Sequence, residues 1–380
     1  MKIVIWIYRL GGGGAERVMT DLASSFVRAG HDVDVCVHGP DNPYAAEIEA
    51  TAKLHILTRS CIIEKLRLRT VCSFFRLIQF IHQNKPDVVF TTGAGHGLLL
   101  PFVRFFSFSS FGTVLRETNN LTAQAETSTR FMTRLVIMLT GILYRFNDWI
   151  IVPSKGVEDD LLQRIPSLKS RITRIANPID AAKLHALAEQ PLSIPTITDQ
   201  SYILGVGRLV PQKGFDVLIR AWAELYKAHP LKLILLGEGP ERGKLSALAQ
   251  SYGLASELVM PGFEKNPYAY MRRARLFVLS SYHEGLPNSL LQALACNCPV
   301  VSTDCPSGPA EILDNGKLAP LVAIGNSAAL LEGMLQALDY NAPYPKSPWA
   351  QISYNYYPEN ISRAYLSIFD HLVERQGRQA

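Results

Sequence analysis

Short apolar runs alternate along the chain with segments in which apolar residues recur at helical spacing. Lys2–Ile7 is a continuous run rich in isoleucine and valine, whereas Glu16–Ala29 places Val18, Leu22 and Phe26 one helical turn apart. Strands that alternate with helices are typical of parallel sheets with helical crossovers. The pattern therefore predicts an α/β fold built from doubly wound parallel sheets.

The alternation continues to the end of the chain, with one interruption. Further strands are predicted at 31–37, 86–91, 149–152, 202–206, 231–236, 258–260, 276–280 and 300–303, and further helices at 214–228, 241–252, 267–273, 288–296 and 358–374. Residues 185–200 lose periodicity and contain two prolines. A chain of 380 residues exceeds one ordinary core. We therefore predict domains at 1–185 and 201–357, joined by a linker at 186–200.

The segment that begins at Ser280 carries the strongest chemical signal. A strand ends, a Gly/Pro turn follows, and a helix opens at Asn288. Amides at a helix N-terminus lack partners and carry the positive end of the helix dipole, so a diphosphate fits there. Glu284 on the turn is suited to accept hydrogen bonds from sugar hydroxyls, and Gln292 lies one helical turn into the helix. A purely structural interpretation, with Asn288 as an N-cap and Glu284 as a solvated turn residue, stays open.

A second signal is a pair of cations on the turn after the strand 202–206. Arg208 offers a rigid fork to phosphate oxygens, and Lys213 offers a point charge five residues later. Together they could hold a leaving diphosphate without a metal. Two exposed loop cations are the alternative.

Glycines mark two further strand ends. Gly12, Gly13 and Gly14 follow the first strand and allow close approach of the backbone to a ligand. Their spacing is not that of a dinucleotide fingerprint, and no Gly-Lys-Ser/Thr follows. Glu238 lies in a similar turn and could meet a nucleoside, although a plain turn explains it equally well.

The cysteines and the first residues favour a cytosolic chain without a metal. Cys296 and Cys298 are separated by a single residue, which does not fit a structural zinc site, and no histidine cluster accompanies them. Met1–Ile7 is followed three residues later by a run of glycines and has no cleavable small-residue site. We therefore expect reduced thiols and a cytoplasmic location.

The net positive charge is confined to the first half of the chain. Residues 1–190 hold 22 Lys/Arg against 17 Asp/Glu, an excess of 5, whereas residues 191–380 hold 16 of each. Many of these cations adjoin large apolar residues, as in 65–76, 102–106 and 130–145. This combination favours a peripheral position on an anionic membrane. Amphipathic core helices with solvated arginine tips are the alternative, and nucleic acid is disfavoured because no reading motif is present.

Five ordered segments resemble one enzyme family. GGGAERV, GRLVPQKGFD, LLGEGPE, SSYHEGLPNSLLQAL and PVVSTDCPSGPAEIL together are similar to the family-4 glycosyltransferases of the GT-B fold. The resemblance implies two Rossmann-like domains facing across a cleft, and a tail helix, 358–380, that packs back on the first. It also implies retaining transfer from a nucleotide-sugar, with neither a metal nor another cofactor.

The resemblance also assigns roles to particular residues. Arg208 and Lys213 match the cations on the donor diphosphate, and Glu284 matches the first glutamate of a paired motif that contacts the transferred sugar. The second glutamate is replaced here by Gln292, which loses charge-assisted hydrogen bonding to ribose. The predicted donor contacts are Gly12, Gly13, Gly14, Glu238, Gly285, Leu286, Pro287, Asn288, Ser289 and Gln292, with Glu284, Arg208 and Lys213 as the catalytic residues.

The acceptor is expected on loops that follow strands of the first domain. Candidates are His96 and the stretch that contains Arg116, Glu117 and Asn119. We expect transfer of a hexose or N-acetylhexosamine from a UDP-sugar to a lipid-linked or surface-polysaccharide acceptor at the inner membrane face, as in lipopolysaccharide or other bacterial glycan assembly. A GDP-sugar donor, a non-catalytic glycan-binding subunit and a sugar phosphorylase or isomerase of the same fold are the alternatives.

Overall fold

The computed structural model of the protein describes residues 1–11, 13–39, 44–58, 69–127, 131–194, 197, 199–339, 343–345 and 347–378. The chain divides into two compact units, of which the first comprises Met1–Pro178 and Pro358–Ala380 and the second Ile179–Tyr357. Each unit contains one parallel sheet with helices on its faces, so the predicted fold class is confirmed.

The sheet of the first unit has seven described strands in the order β3-β2-β1-β4-β5-β6-β7, all parallel. The strands are β1 (Lys2–Ile7), β2 (Asp32–Val37), β3 (Lys53–Ile56), β4 (Val88–Thr92), β5 (Gly112–Arg116), β6 (Trp149–Val152) and β7 (Ile172–Arg174). The helices are Gly14–Arg28, Ala45–Glu49, Arg69–Asn84, Ala94–Ser107, Leu121–Thr127, Phe131–Leu143, Lys155–Arg164 and Pro358–Gly377, with 3-10 turns at Tyr144–Phe146 and Pro166–Leu168. The strand order reverses between β1 and β4, where open α/β sheets bind ligands.

Two helical layers cover this sheet. Helices Gly14–Arg28 and Pro358–Gly377 pack on the face that carries Ile3, Ile5 and Phe90. Their centre is a cluster of four aromatic rings with centroids 5.4 to 6.5 Å apart, formed by Phe26, Phe90, Tyr365 and Phe369. Such ring pairs add to the burial of apolar area, so the C-terminal helix is a core element of the first unit.

The sheet of the second unit has six described strands in the order β10-β9-β8-β11-β12-β13, again parallel. The strands are β8 (Tyr202–Val206), β9 (Lys232–Leu236), β10 (Leu258–Gly262), β11 (Leu276–Leu279), β12 (Val300–Thr303) and β13 (Leu321–Val322). The helices are Ala181–Ala188, Phe215–Tyr226, Arg242–Ser251, Pro267–Arg273, Asn288–Ala295, Pro309–Ile312, Ser327–Leu338 and Trp349–Ile352, with 3-10 turns at Pro211–Lys213 and Ser353–Tyr356. The order reverses between β8 and β11.

The boundary between the units differs from the predicted one. It falls after Pro178, and residues 181–188 form a helix of the second unit rather than the end of the first. His185 Nε2 donates to the Ala295 carbonyl at 2.6 Å, and Arg273 Nη1 donates to the Ala188 carbonyl at 2.7 Å. An eight-residue helix gives a weak periodic signal, and its side is set by these long-range contacts.

Candidate active site

Most of the residues predicted to bind the nucleotide-sugar donor follow neighbouring strands of the second unit. Arg208 and Lys213 come after β8, Glu238 after β9, and Glu284 after β11. Because β9, β8 and β11 are adjacent and parallel, their carboxyl ends meet at one edge, at the reversal of strand order.

The turns after β8 and β11 are joined by three hydrogen bonds. Ser280 Oγ donates to the Lys213 carbonyl at 2.8 Å, the Tyr282 amide donates to the Gln212 carbonyl at 2.8 Å, and Gln212 Nε2 donates to the His283 carbonyl at 2.8 Å. The two turns therefore form one rigid piece.

A glycine makes this close approach possible. Gly214 has φ +59°, in the left-handed region, and a Cβ added to it would lie 2.2 Å from the Ser280 carbonyl oxygen. Any side chain there would force the turns apart, since real Cβ atoms do not approach oxygen so closely.

The joined turns place Lys213 against Glu284. Lys213 Nζ lies 2.6 Å from Glu284 Oε1, and both side chains are largely buried. Ser281 Oγ, which is fully buried, donates to the same oxygen at 2.6 Å. One carboxylate oxygen thus receives two donors, which fixes the orientation of the carboxylate. Sequence reasoning missed Ser281, although its position three residues before Glu284 on the same turn was a usable signal.

The turn that follows Glu284 leads into an eight-residue helix, Asn288–Ala295. Pro287 is the N-cap and Asn288 the first helical residue, so the N-cap interpretation of Asn288 is wrong. Gly285 and Leu286 are buried, Ser289 is half-buried, and Gln292 lies half-buried one turn further along. The described geometry therefore offers a helix N-terminus directly after the Lys213–Glu284 pair.

The remaining two candidates of the second unit, Arg208 and Glu238, lie on adjoining loops. The Leu209 amide donates to the Glu238 carbonyl at 2.9 Å, which holds the loop of Arg208 beside that of Glu238. The Arg208 side chain is exposed, and its guanidinium has no partner among the residues that the structure describes. Glu238 is exposed and pairs with Arg242 at 2.8 Å. Arg208 is therefore available to an anion, whereas the Glu238 carboxylate is already engaged.

In the first unit, the N-terminal glycines open a helix. Gly13 is the N-cap and Gly14 the first residue of helix Gly14–Arg28, which begins two residues before the predicted start, and Gly12 lies outside the described residues. The Gly13 carbonyl accepts from the Arg17 amide at 3.0 Å.

His96 belongs to a buried ring cluster at the ends of β1, β2 and β4. The expected loop is the first turn of helix Ala94–Ser107, because Gly93, with φ +85°, ends the strand region and the helix starts at once. The His96 ring stacks on Trp6 with centroids 4.2 Å apart, and its Nε2 lies 3.0 Å from Nε2 of His38. Burial, with a smaller contribution from His38, lowers the pKa of His96 to about 3.

Arg116 and Glu117 are both covered by protein. Arg116 has 1% exposure, donates from Nε to the Tyr365 hydroxyl at 3.1 Å and also donates to Asn177 Oδ1. Glu117 has 0% exposure and accepts from the Tyr144 hydroxyl at 2.5 Å and from the Thr118 and Asn119 amides. Burial raises the pKa of Glu117 despite these donors. Glu117 thus holds the loop that contains Asn119, which is half-buried.

These constellations can be compared with known families. The model of the family-4 glycosyltransferases, "Glycosyltransferase Family 4", matches residues 12–183, and "Glycosyl transferases group 1" matches residues 189–351. The chain is a family-4, group 1 glycosyltransferase. Among the described residues, no group of three His, Cys, Asp or Glu side chains is arranged to hold a metal ion.

Relatives agree with this glycosyltransferase assignment, and solved structures agree with the fold. An uncharacterized glycosyltransferase of Methanocaldococcus jannaschii is 30% identical over 63% of this chain, and the match spans 61% of that protein. The N-acetylgalactosamine-N,N'-diacetylbacillosaminyl-diphospho-undecaprenol 4-alpha-N-acetylgalactosaminyltransferase of Campylobacter jejuni is 29% identical over 89% of this chain and 90% of its own length. The Anabaena HepE structure with UDP-glucose has a TM-score of 0.78 at 18% identity, covers 98% of this chain and 100% of its own, and shows the fold.

We predict that Gly214→Ala destabilises the second unit of this glycosyltransferase more than Gly253→Ala does. Both glycines have positive φ, but a Cβ at Gly253 meets nothing within 4 Å. The control should lose about 1–2 kcal/mol for the backbone conformation alone, and Gly214→Ala about 2 kcal/mol more for the displaced turn. Urea unfolding of both variants measures the difference, and equal losses would contradict the close approach.

We predict that the first unit loses stability as the pH falls below about 6.5, the pKa of unfolded histidine. The folded pKa of His96 is lowered to about 3, so the unfolded chain binds more protons in this window. The contribution of His96 to the free energy of unfolding is fully present above pH about 6.5. It decreases by up to about 1.4 kcal/mol per pH unit as the pH falls towards the folded pKa of about 3. His96→Gln should flatten the pH dependence of urea unfolding, and the exposed-site control His229→Gln should not. An unchanged slope in His96→Gln would refute the role of His96.

Proposed function

We propose that this glycosyltransferase is a retaining, metal-independent enzyme of bacterial glycan biosynthesis. It moves a hexose or N-acetylhexosamine from a UDP-sugar to a lipid-linked or surface-polysaccharide acceptor. The observation that supports this most directly is the contact of Lys213 with Glu284 beside the N-terminus of helix Asn288–Ala295. In this arrangement a cation, a carboxylate suited to accept hydrogen bonds from a sugar, and a helix end suited to a phosphate lie together.

The chemistry assigns separate tasks to these groups. Glu284 uses its second carboxylate oxygen, which Lys213 and Ser281 do not occupy, to accept hydrogen bonds from the sugar. Breaking the bond between the sugar and the phosphate places negative charge on the departing diphosphate. Arg208 and Lys213 then stabilise that charge as it develops, which is usually the largest catalytic contribution. The acceptor hydroxyl attacks on the same face, and its proton passes to the leaving phosphate oxygen.

The donor and the acceptor are proposed from the relatives. The Anabaena structure contains UDP-glucose, and the Campylobacter relative is named for transfer to a diphospho-undecaprenol-linked glycan. These facts concern those two proteins, and they support UDP-sugars and a lipid-linked acceptor here. A lipid-linked acceptor would place the enzyme peripherally at the inner face of the membrane.

The deciding experiment measures the release of nucleoside diphosphate from a panel of UDP- and GDP-sugars in the presence of membrane extract. We expect turnover with a UDP-sugar and a loss of about a hundredfold in Glu284→Ala, because a group that binds the transferred sugar is removed. Glu224→Ala is the matched control, since this carboxylate of the same unit is half exposed and pairs with Lys227 on the surface. Turnover with GDP-sugars alone would overturn the UDP assignment. The absence of both turnover and donor binding would favour a non-catalytic subunit.

Gln292→Glu tests whether the half-buried side chain of Gln292 faces the donor ribose. A carboxylate strengthens a hydrogen bond to a hydroxyl by about 1 kcal/mol, so we expect the KM for the donor to fall about fivefold with kcat unchanged. The variant Gln250→Glu, on an exposed helix position of the same unit, is the control. A raised KM would instead place residue 292 near the diphosphate.

A further inference from the structure

Three neighbouring helices of the first unit form a layer without a single acidic residue. Helices Arg69–Asn84, Ala94–Ser107 and Phe131–Leu143 pack side by side, and their buried residues contact one face of the sheet. Their sequences contain Arg76, Arg104 and Arg134 but no Asp or Glu. We call these three helices the acid-free layer. It ends at helix Leu121–Thr127, which packs against Phe131–Leu143 and contains Glu126.

The outer side of the acid-free layer exposes large apolar side chains along its whole extent. The exposed large apolar residues on these helices, and on the turns that follow helices Ala94–Ser107 and Phe131–Leu143, are Val71, Phe75, Phe102, Phe105, Phe106, Phe108, Phe131, Met132, Met138, Ile142 and Phe146. Phe105 is 71% and Phe131 76% exposed. Monomeric soluble proteins rarely expose so many large apolar side chains on adjoining helices, so a partner is expected to cover this surface.

The opposite face of the same sheet provides an internal comparison. Helices Gly14–Arg28 and Pro358–Gly377 contain five acidic residues, and none of their described side chains is an exposed large hydrophobic residue. Both layers cover the same sheet and bury it equally well. The apolar exposure is therefore a property of one layer and not a requirement of the fold.

Two exposed arginines of this surface, Arg76 and Arg145, are hydrogen-bonded to carbonyl oxygens. Arg76 Nη1 donates to the Leu57 carbonyl at 2.7 Å, and Arg145, just beyond the layer, donates to the Gly141 carbonyl at 3.0 Å. Carbonyl oxygens orient a guanidinium without neutralising it. Arg104 instead pairs with Asp148 at 2.7 Å. A second copy of the chain would bring like charges together, whereas an anionic surface would compensate them.

We propose that the acid-free layer docks on the surface of an anionic phospholipid bilayer, with its phenylalanines in the headgroup region and with Arg76 and the adjoining Arg145 on lipid phosphates. Phenylalanine and methionine between arginines are the composition that binds such interfaces. None of the helices in the described ranges has the length and apolar run needed to span a bilayer. The inference rests on the proposed function in placing the acceptor in the membrane.

The layer is also joined to the predicted acceptor loop. Tyr144, in the 3-10 turn that ends helix Phe131–Leu143, donates to Glu117, and Asn147 Nδ2 donates to the Gly97 carbonyl at 3.1 Å. Glu117 in turn holds the amides of Thr118 and Asn119. Docking through this layer would thus hold the loop Thr118–Asn119 at a fixed height relative to the lipid.

The test is flotation of the full chain with vesicles of phosphatidylcholine alone or mixed with phosphatidylglycerol. We expect binding to the mixed vesicles and little to the neutral ones, with release at high salt because exposed charges are screened. The double variant Phe105→Ser/Phe131→Ser should lose about tenfold or more in partitioning, and Arg145→Gln about fivefold. Phe263→Ser, an exposed phenylalanine of the second unit, is the matched control and should bind like the wild type.

Circular dichroism of each variant verifies that it is folded. Failure of the wild type to bind mixed vesicles, or an equal loss in Phe263→Ser, would overturn the proposal. A dimer in light scattering that the double variant dissociates would do so as well, since a second copy would then cover the layer. Vesicle binding requires no donor, so lost nucleotide release with intact binding would overturn only the proposed function.

Discussion

The donor edge of the second unit depends on the close approach of two turns, one after β8 and one after β11. A single left-handed glycine, Gly214, allows the backbone to pass Ser280 at a distance that no side chain would permit. Once the turns are joined, Lys213 and Glu284 have to lie together, and Ser281 completes the contact. The charges are far apart in the sequence and are brought together by backbone geometry, so the site is preorganised before any ligand arrives.

The corresponding edge of the first unit is organised differently. His96, Arg116 and Glu117 are all covered, and their partners are other protein groups: the Trp6 and His38 rings, Tyr365 and Tyr144. Burying a charged or titratable group is costly unless hydrogen bonds compensate it. Here the hydrogen bonds compensate the burial, and they fix the course of the strand ends and of the loop after β5. In the described structure these residues act as supports of the edge.

Much of this was available from the sequence, for identifiable reasons. Continuous apolar runs such as β1 and β8 are buried except for one terminal residue each, so their limits were predicted to within a residue. The strands β3, β5 and β7 were missed because they are short or mix polar residues into the pattern. The motifs also identified Lys213 and Glu284 as site residues, but motifs alone could not show that the two side chains are in contact. The burial of Arg116 depends on Tyr365, 249 positions away, and no local pattern contains that information.

The acid-free layer has a consequence for the protein in simple solution. Without lipid, its apolar side chains face water, and the like charges of Arg76 and Arg145 oppose the approach of a second copy. That repulsion acts over about 10 Å at moderate ionic strength and shrinks to about 3 Å in concentrated salt. The chain should therefore stay dispersed in dilute buffer and self-associate as salt is added, the reverse of the behaviour of proteins whose copies are held together by opposite charges.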